Sequence, residues 1–141
     1  MRRIGVLLCA AVLLLSVGLQ SAWATGTNKD QSVTPQAFMY LKQTSCSHDK
    51  AGDKVFVWGT TTTYQPVNKL TTTVYLEKQV SNSWLTVNQW SSVEYNADYS
   101  SVAKSTTVER GFYYRVRAYH RADHGSVTET NMTSTGIFYV Q

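Results

Sequence analysis

Residues 110–120 read RGFYYRVRAYH, and their alternation with a period of two decides the fold. One set of alternate residues is mostly apolar and consists of Phe112, Tyr114, Val116 and Ala118. The other set mixes aromatic rings with cations and consists of Tyr113, Arg115, Arg117, Tyr119 and Arg121. Because the side chains of a β-strand point alternately to opposite faces, the stretch predicts a strand with an apolar inner face and a cationic, aromatic outer face.

Other segments of the chain have the same strand character and are separated by turn signals. They are Lys54–Thr61, Leu70–Gln79, Trp84–Val93, Val102–Val108, Ser126–Glu129 and Ile137–Val140. Lys54–Thr61 is apolar on both faces, which predicts a central position in a sheet. About seven short strands predict an all-β fold, a single antiparallel β-sandwich, with a small closed barrel as the alternative. Pro35–Leu41 is either a short turn or a first strand.

The first residues have the pattern of a secretory signal peptide. Arg2 and Arg3 precede an almost wholly apolar run, residues 4–19, and Ala22-Trp23-Ala24 fits a cleavage site after Ala24. The alternative is an uncleaved membrane anchor, but the run is short for a span of roughly 20 residues. We therefore expect a signal peptide at 1–24, a flexible leader at 25–35 and a β-sandwich domain at 36–141. No second long apolar run follows, so we expect a secreted mature protein without a transmembrane segment.

Cleavage changes the charge and the cysteine content. The mature chain would retain 11 of the 13 Lys and Arg residues against 9 Asp and Glu, a net charge near +2. This mildly basic balance is far from that of a nucleic-acid-binding domain. Cys9 leaves with the signal, so Cys46 cannot form an intramolecular disulfide. It is either a buried, inert thiol or a partner in an intermolecular disulfide.

The inner face of the opening stretch carries a first resemblance. Tyr114-Arg-Val-Arg-Ala118, followed by a hairpin with a glycine at Gly125, resembles the sixth strand of fibronectin type III and related immunoglobulin-like domains. The resemblance implies an immunoglobulin-like sandwich. It also implies that Tyr114 is the tyrosine that ties down the corner before this strand.

A second resemblance covers residues 55–140. It rests on the order of Leu76, Glu77-Lys78, Trp84, residues 110–117, His120, Gly125 and Glu129. This order is similar to that of small exported proteins of Gram-positive bacteria, a family of unknown function. The chain departs from the pattern at Ala118, where glycine is expected, and at Cys46. The resemblance implies an extracellular, non-enzymatic protein and transfers no catalytic residues.

Two groups of residues are candidates for nucleophilic catalysis or metal binding. Cys46 and His48 lie two residues apart, hence on one side of an extended chain, but no nucleophile motif surrounds them. His120, Asp123 and His124 cluster in one predicted hairpin, where they form either an open zinc or copper site or a solvated hairpin tip. The sequence favours the solvated tip, and it predicts no catalytic residue, no metal and no cofactor.

Two surfaces remain as candidate ligand-binding sites. The first is the outer face formed by Tyr113, Arg115, Arg117, Tyr119 and Arg121. Alternating aromatics and cations resemble an RNA-binding sheet, but the export signal and the low charge argue against nucleic acid. The second is Trp84 and Trp90, which an even spacing of six places on one strand face. Either both indoles are exposed, with Leu85 and Val87 in the core, or the reverse holds.

The sequence thus predicts a secreted, non-enzymatic β-sandwich that acts as a binding or structural module at the cell surface or in the medium. The expected partner is a cell-wall polymer, a glycan or another protein. The alternative is a secreted effector, a small toxin or inhibitor, that acts on another protein.

Overall fold

Antiparallel strands account for nearly all of residues 37–141, the part of the chain that the computed structural model describes. The predicted signal peptide and the whole of the predicted leader, residues 25–35, lie outside the described residues. The six strands are β1 (Leu41–Ala51), β2 (Lys54–Val80), β3 (Ser83–Thr107), β4 (Phe112–His124), β5 (Val127–Ser134) and β6 (Phe138–Val140). The order across the sheet is β1-β2-β4-β5, with β3 also paired to β2 and β6 to β4. The all-β, antiparallel fold predicted from the sequence is confirmed.

The two long strands, β2 and β3, each bend and contribute to two layers. Their mutual register shifts between Thr62 and Val67, and the turn-forming Asn96 has a φ of 50° on the facing stretch of β3. The first layer consists of β1, residues 54–62 and residues 99–107. The second consists of residues 67–80, residues 83–97, β4, β5 and β6.

Contacts between residues far apart on β2 show that the layers face each other. A Cβ placed on Gly59 would lie 2.5 Å from Val74 Cγ2, although 15 residues separate the two. Thr61 Oγ1 lies 2.6 Å from Thr72 Oγ1 and 2.7 Å from His120 Nδ1, which joins β2 to β4 across the interior. The edge strands β1 and β5 form no hydrogen-bonded ladder within the described residues, but they contact each other, as when Asn131 Nδ2 donates to Thr44 Oγ1 at 2.7 Å.

The core lies between the layers and is built from the inward positions that alternation predicts. Its main cluster consists of Val55, Val57, Val74, Leu76, Val102, Val108, Tyr114, Val116, Ala118, Phe138 and Val140. Lys54–Thr61 lies between β1 and β3, so its predicted central position is confirmed. Tyr114 Oη donates a hydrogen bond to the Glu109 carbonyl at 2.7 Å, a contact of the kind that the resemblance implies for this residue.

The position of strand β1 differs from the prediction, in which a first strand, if present, lay at residues 35–41. The strand runs from Leu41 to Ala51 and is mostly exposed, so it lacks the apolar alternation that would identify it. Glu129 on β5 anchors its start by accepting hydrogen bonds from the backbone amides of residues 39, 40 and 41 at 2.6–2.9 Å. Burial raises the pKa of Glu129, but these donors outweigh it and the net shift is downward.

Candidate functional site

Strand β4 presents the predicted outer face on the surface of the second layer. Its inward residues Tyr114, Val116, Ala118 and His120 are at most 1% exposed. The alternate residues all have accessible surface, and Tyr113 and Arg121 are the most exposed of them. The sequence therefore assigned the two faces of this strand correctly.

The arginines on this face are largely neutralised by carboxylates. Arg115 Nε donates to Glu77 Oε2 at 2.6 Å, and Arg117 Nη1 lies 3.6 Å from Glu77 Oε1. Glu77 is only 7% exposed and lies on β2, directly beside Arg115 in the register. Two guanidinium groups thus share one nearly buried carboxylate, which leaves one net positive charge. The hydrogen bond orients the guanidinium of Arg115, whereas Arg117 contributes an ion pair without a hydrogen bond.

The remaining arginine of the face has its own carboxylate. Arg121 donates to both oxygens of Asp123, with Nε to Oδ2 at 2.8 Å and Nη2 to Oδ1 at 2.8 Å. Hydrogen bonding to Arg121 is the main reason that the pKa of Asp123 lies below its usual value. The pair has no net charge, so the face as a whole is not the strongly cationic stripe that its sequence alone indicates.

Aromatic rings border the Arg115–Glu77–Arg117 cluster. The guanidinium carbon of Arg115 lies 4.2 Å from the centroid of the Trp84 ring, a cation–π contact. At the neighbouring edge, the rings of Tyr113 and Tyr139 are 5.0 Å apart at an angle of 49°. We call the set Trp84, Glu77, Arg115, Arg117, Tyr113 and Tyr139 the arginine–aromatic face.

The prediction that Trp84 and Trp90 lie on the same face of the strand is wrong, because a β-bulge at Val87 stands between them. Leu76 pairs with Asn88 but Glu77 pairs with Thr86, so β3 has one extra residue at this point. A bulge reverses the alternation beyond it. Trp84 consequently lies on the outer face beside Arg115, whereas Trp90 lies opposite Val74 and packs against the core.

The exposure of Leu85 and Val87 agrees with one of the two sequence alternatives, although the two indoles do not follow it. These alternatives placed the two residues either in the core with exposed indoles or outside with buried indoles. The structure leaves Leu85 56% and Val87 37% exposed, and it separates the two indoles.

Sequence reasoning did not find Glu77 or Tyr139 as members of the site. Alternation along Leu70–Gln79 does assign Glu77 to the side opposite Leu76, which was the available signal. What the sequence does not contain is the register that places Glu77 beside Arg115 and Tyr139 beside Tyr113.

Cys46 and His48 lie on one side of β1, as predicted, and this side faces inward, where their environment opposes nucleophilic chemistry. Cys46 Sγ lies 3.8 Å from the Val116 carbonyl, and burial raises the pKa of its thiol. His48 stacks on Phe138 with ring centroids 3.9 Å apart, and burial lowers its pKa. Both shifts favour the neutral forms, whereas a thiolate–imidazolium pair needs the opposite shifts.

The residues considered for a metal site are separated by the sheet. His120 is fully buried and lies between Thr61 Oγ1 at 2.7 Å and Thr133 Oγ1 at 2.8 Å, so it does not belong to a solvated tip. Asp123 lies on the outer face with Arg121, and the ring of His124 packs on Tyr40 at 4.9 Å. Residues 37–141 contain no group of three or more His, Cys, Asp or Glu placed to hold a metal ion.

A second aromatic pair, a half-buried Phe56 and Trp58 with 38% of its surface exposed, lies on the opposite surface of the molecule. Phe56 and Trp58 point outward from the central strand of the first layer, with ring centroids 6.4 Å apart and planes 15° apart. Together with Ala103, Lys104 and Ser105 they line a shallow pocket of about 240 Å³. Alternation along Lys54–Thr61 predicts the position of the strand, but it does not single out Phe56 and Trp58 as a surface feature.

Fold and surfaces together define a small all-β domain whose aromatic and charged side chains are displayed on sheet faces. The described residues, 37–141, contain no helix with the length and hydropathy that crossing a bilayer requires. The chain belongs to a family of unknown function (DUF6147), whose model matches residues 21–137. A family of unknown function is also what the sequence resemblance predicted.

Comparisons with individual proteins add little to the family assignment. No curated protein matches the sequence. The solution structure of CsgH from R. palustris is similar to this chain, with 14% sequence identity and a TM-score of 0.36. The similarity covers 64% of this chain and 90% of CsgH.

Proposed function

We propose that the chain is an exported, non-enzymatic recognition module that binds a saccharide of a cell-wall or extracellular polymer. The arginine–aromatic face is the proposed binding surface. The observation that carries this proposal is the cluster in which Glu77 holds Arg115 and Arg117 while Arg115 stacks on Trp84. Export rests on the signal-peptide pattern at residues 1–24.

The geometry of the cluster suits a sugar ring. A saccharide presents C–H faces that pack on aromatic rings and hydroxyls that accept hydrogen bonds from planar donors. The ring of Tyr113 is exposed and that of Trp84 is half-buried, and the guanidinium groups of Arg115 and Arg117 supply N–H donors, of which that of Arg115 is held by a hydrogen bond. Because Glu77 already orients the guanidinium of Arg115, binding loses less side-chain entropy than it would with a free arginine.

The charge of the cluster indicates which saccharides are preferred. One net positive charge remains after Glu77 is paired, enough to favour a sugar with a single anionic substituent. A dense polyanion such as nucleic acid requires many unpaired cations and a steep salt dependence. We therefore place sparsely charged wall glycans ahead of polyanions as the ligand.

We also propose that the architecture is that of an immunoglobulin-like sandwich of the fibronectin type III kind, from a Gram-positive bacterium. Support for the architecture comes from the three-stranded first layer, the bent β2 and β3, and the corner contact of Tyr114 with Glu109. In such sandwiches recognition residues are displayed on strands or loops over a rigid core. This agrees with a face built for binding.

The test is retardation of the purified protein in native gels that contain cell-wall polysaccharide. Exchanging Arg115 and Arg117 for Ser, or Trp84 for Ala, is expected to weaken binding at least tenfold, about 1.4 kcal/mol. The reason is the loss of the guanidinium donors in one case and of the stacking ring in the other.

Arg110→Ser is the matched control, because Arg110 is an exposed arginine paired with Asp53 outside the proposed face. It should leave retardation unchanged. Equal retardation of the wild type and the Arg115/Arg117 variant would remove this face as the binding site. A wild-type affinity that falls more than tenfold when salt rises tenfold would indicate polyanion binding instead.

A further inference from the structure

Within the described residues, strand β1 and the edge formed by β5 and β6 lie side by side without a backbone ladder between them. Their contacts advance in the same order along both edges, from residues 39–41 with Glu129 to Lys50 Nζ, which donates to the Tyr139 carbonyl at 2.9 Å. The two edges therefore run parallel. We call this boundary, between β1 with the residues just before it and β5 with β6, the seam. Side chains rather than backbone hydrogen bonds hold it closed.

Glu129 holds the first end of the seam. Its carboxylate accepts hydrogen bonds from the backbone amides of residues 39–41 at 2.6–2.9 Å. A protonated carboxyl has no charge and turns one acceptor oxygen into a hydroxyl donor, so it binds these amides more weakly. The titratable side chains beside it are those of Tyr40 and His124, which pack on each other. Protonation of Glu129 thus weakens the attachment of β1 at its start.

His120 lies fully buried beneath the middle of the seam. Its ring nitrogens lie 2.7 Å from Thr61 Oγ1 and 2.8 Å from Thr133 Oγ1, and its register neighbours on β2 and β5 are a threonine and an asparagine. Thr133 on β5 is also a hydrogen-bond partner of the Cys46 thiol on β1, the titratable group that faces His120. Its partners within the described residues are hydroxyls, so a buried imidazolium has no anionic partner.

His48 closes the far end of the seam by stacking on Phe138 of β6, with ring centroids 3.9 Å apart. Burial is the main reason that its pKa is lowered, and the neighbouring charges of Asp49 and Lys50 act in opposite directions. Acid therefore acts in one direction on all three groups. The closed seam binds protons less readily than an open one does, below pH 6.5 at the two histidines and below pH 4.5 at Glu129.

We propose that the seam is an acid-sensitive opening device, in which protonation of Glu129, His48 and His120 separates β1 from β5 and β6. Strand β1 keeps its ladder to β2, and β5 keeps its ladder to β4, so the molecule opens along one side without unfolding. Such a local opening requires less free energy than global unfolding. It exposes two unpaired strand edges and the half-buried Cys46 to solvent. The device does not depend on saccharide binding by the arginine–aromatic face.

The test is amide hydrogen exchange followed by mass spectrometry at pH 7, 5.5 and 4.5, with protection normalised to the unfolded chain at each pH. Between pH 7 and pH 4.5, the protection of residues 39–46 and 129–134 is expected to fall at least tenfold more than that of residues 70–76. The reason is that residues 70–76 lie on β2 between β3 and β4, away from the seam. Urea unfolding at each pH gives the fraction of the chain that is globally unfolded.

Two variants assign the effect to the seam. Glu129→Gln should lower the protection of residues 39–46 at least threefold already at pH 7, because an amide group cannot replace the carboxylate as acceptor for three donors. Glu94→Gln is the matched control and should leave this protection unchanged, since Glu94 is an exposed carboxylate on β3 that accepts from Ser92.

The thiol of Cys46 gives a second readout. A Cys9→Ser background leaves it as the one cysteine of the chain. Its labelling by 4,4′-dithiodipyridine, a reagent that reacts with thiols at acidic pH, should accelerate between pH 7 and pH 4.5 relative to the urea-unfolded chain at the same pH.

The outcomes separate local opening from global unfolding. Protection that falls equally at the seam and at residues 70–76 would show that acid acts on global unfolding alone, and it would overturn the proposal. Protection of the seam that does not change with pH would do the same. Should Glu129→Gln fail to fold, the comparison of seam and centre in the wild type still decides between these results.

Binding assays keep the seam apart from the proposed function. The Arg115/Arg117 variant, which alters only the outer face of β4, should show the same loss of seam protection in acid as the wild type. A seam that no longer responds to acid in this variant would contradict the independence of the two features.

Discussion

Gly59→Ala is expected to lower the free energy of unfolding by about 1–3 kcal/mol, and Gly59→Val by more. The new Cβ would lie 2.5 Å from Val74 Cγ2, closer than two carbons can approach, and 3.3 Å from Thr72 Cγ2. Neither neighbour is a flexible side chain that can move aside in a packed core. With total stabilities near 5–15 kcal/mol, such a loss is easily measured by urea unfolding.

The cause can be tested by compensation. Val74→Ala removes the methyl group that the new Cβ would meet. The loss of unfolding free energy in the double variant should therefore be smaller than the sum of the two single losses, by about 1 kcal/mol or more. Gly136→Ala is the control, because a Cβ there meets nothing within 4 Å. Strictly additive losses would show that the two halves of β2 do not pack against each other at this point.

Acidification from pH 6.5 to pH 4 is expected to destabilise the protein by about 3 kcal/mol through His120. Burial lowers the pKa of His120 from 6.5 to about 4. Between these values the unfolded chain binds a proton that the folded protein does not, so stability is full above pH 6.5 and falls as the pH decreases. His48, whose pKa burial also lowers, adds a loss of the same sign as the pH falls below 6.5. Asp123 and Glu129, whose folded pKa values are lowered, add losses as the pH falls below their ordinary values of 3.8 and 4.5.

His120→Gln isolates this contribution. The amide of glutamine stands near the position of Nε2, where it can still bond to Thr133, and it does not titrate. Some stability is lost at every pH because the bond from Nδ1 to Thr61 is not replaced, so the slope with pH is the quantity compared. Urea unfolding at half-unit pH steps should show that most of the slope between pH 6.5 and pH 4 is absent in the variant. An unchanged slope would mean that His120 accepts a proton in the folded state as easily as in the unfolded chain.

Period-two alternation predicted much of this fold because the inner face of a strand must be apolar. It identified β4 together with its two faces, and it placed Lys54–Thr61 at the centre of a sheet. The hairpin turn at Gly125, with a φ of 59°, followed from turn chemistry. The same alternation places His120 among the buried residues of β4, although its position next to Asp123 and His124 favoured a solvated tip.

Features that depend on pairing between strands were beyond the sequence. The bulge at Val87 adds one residue to β3 without any local sequence signal. The prediction that Trp84 and Trp90 lie on the same face was therefore wrong. Strand β1 is polar and depends on Glu129, 88 to 90 residues away, for its first hydrogen bonds. Glu77 became part of the candidate site only through its register with Arg115.

The central claim is that Trp84 and its arginine partners bind saccharide, whereas Trp90 belongs to the core. The most direct measurement follows the indole N–H signals of Trp58, Trp84 and Trp90 in ¹⁵N-labelled protein, assigned by single Trp→Phe variants, during titration with soluble cell-wall glycan fragments. We predict a saturable shift of the Trp84 signal and no shift of the Trp90 signal. A Trp84 signal that stays in place while the fragments bind, or that moves no more than the Trp90 signal, would contradict the account.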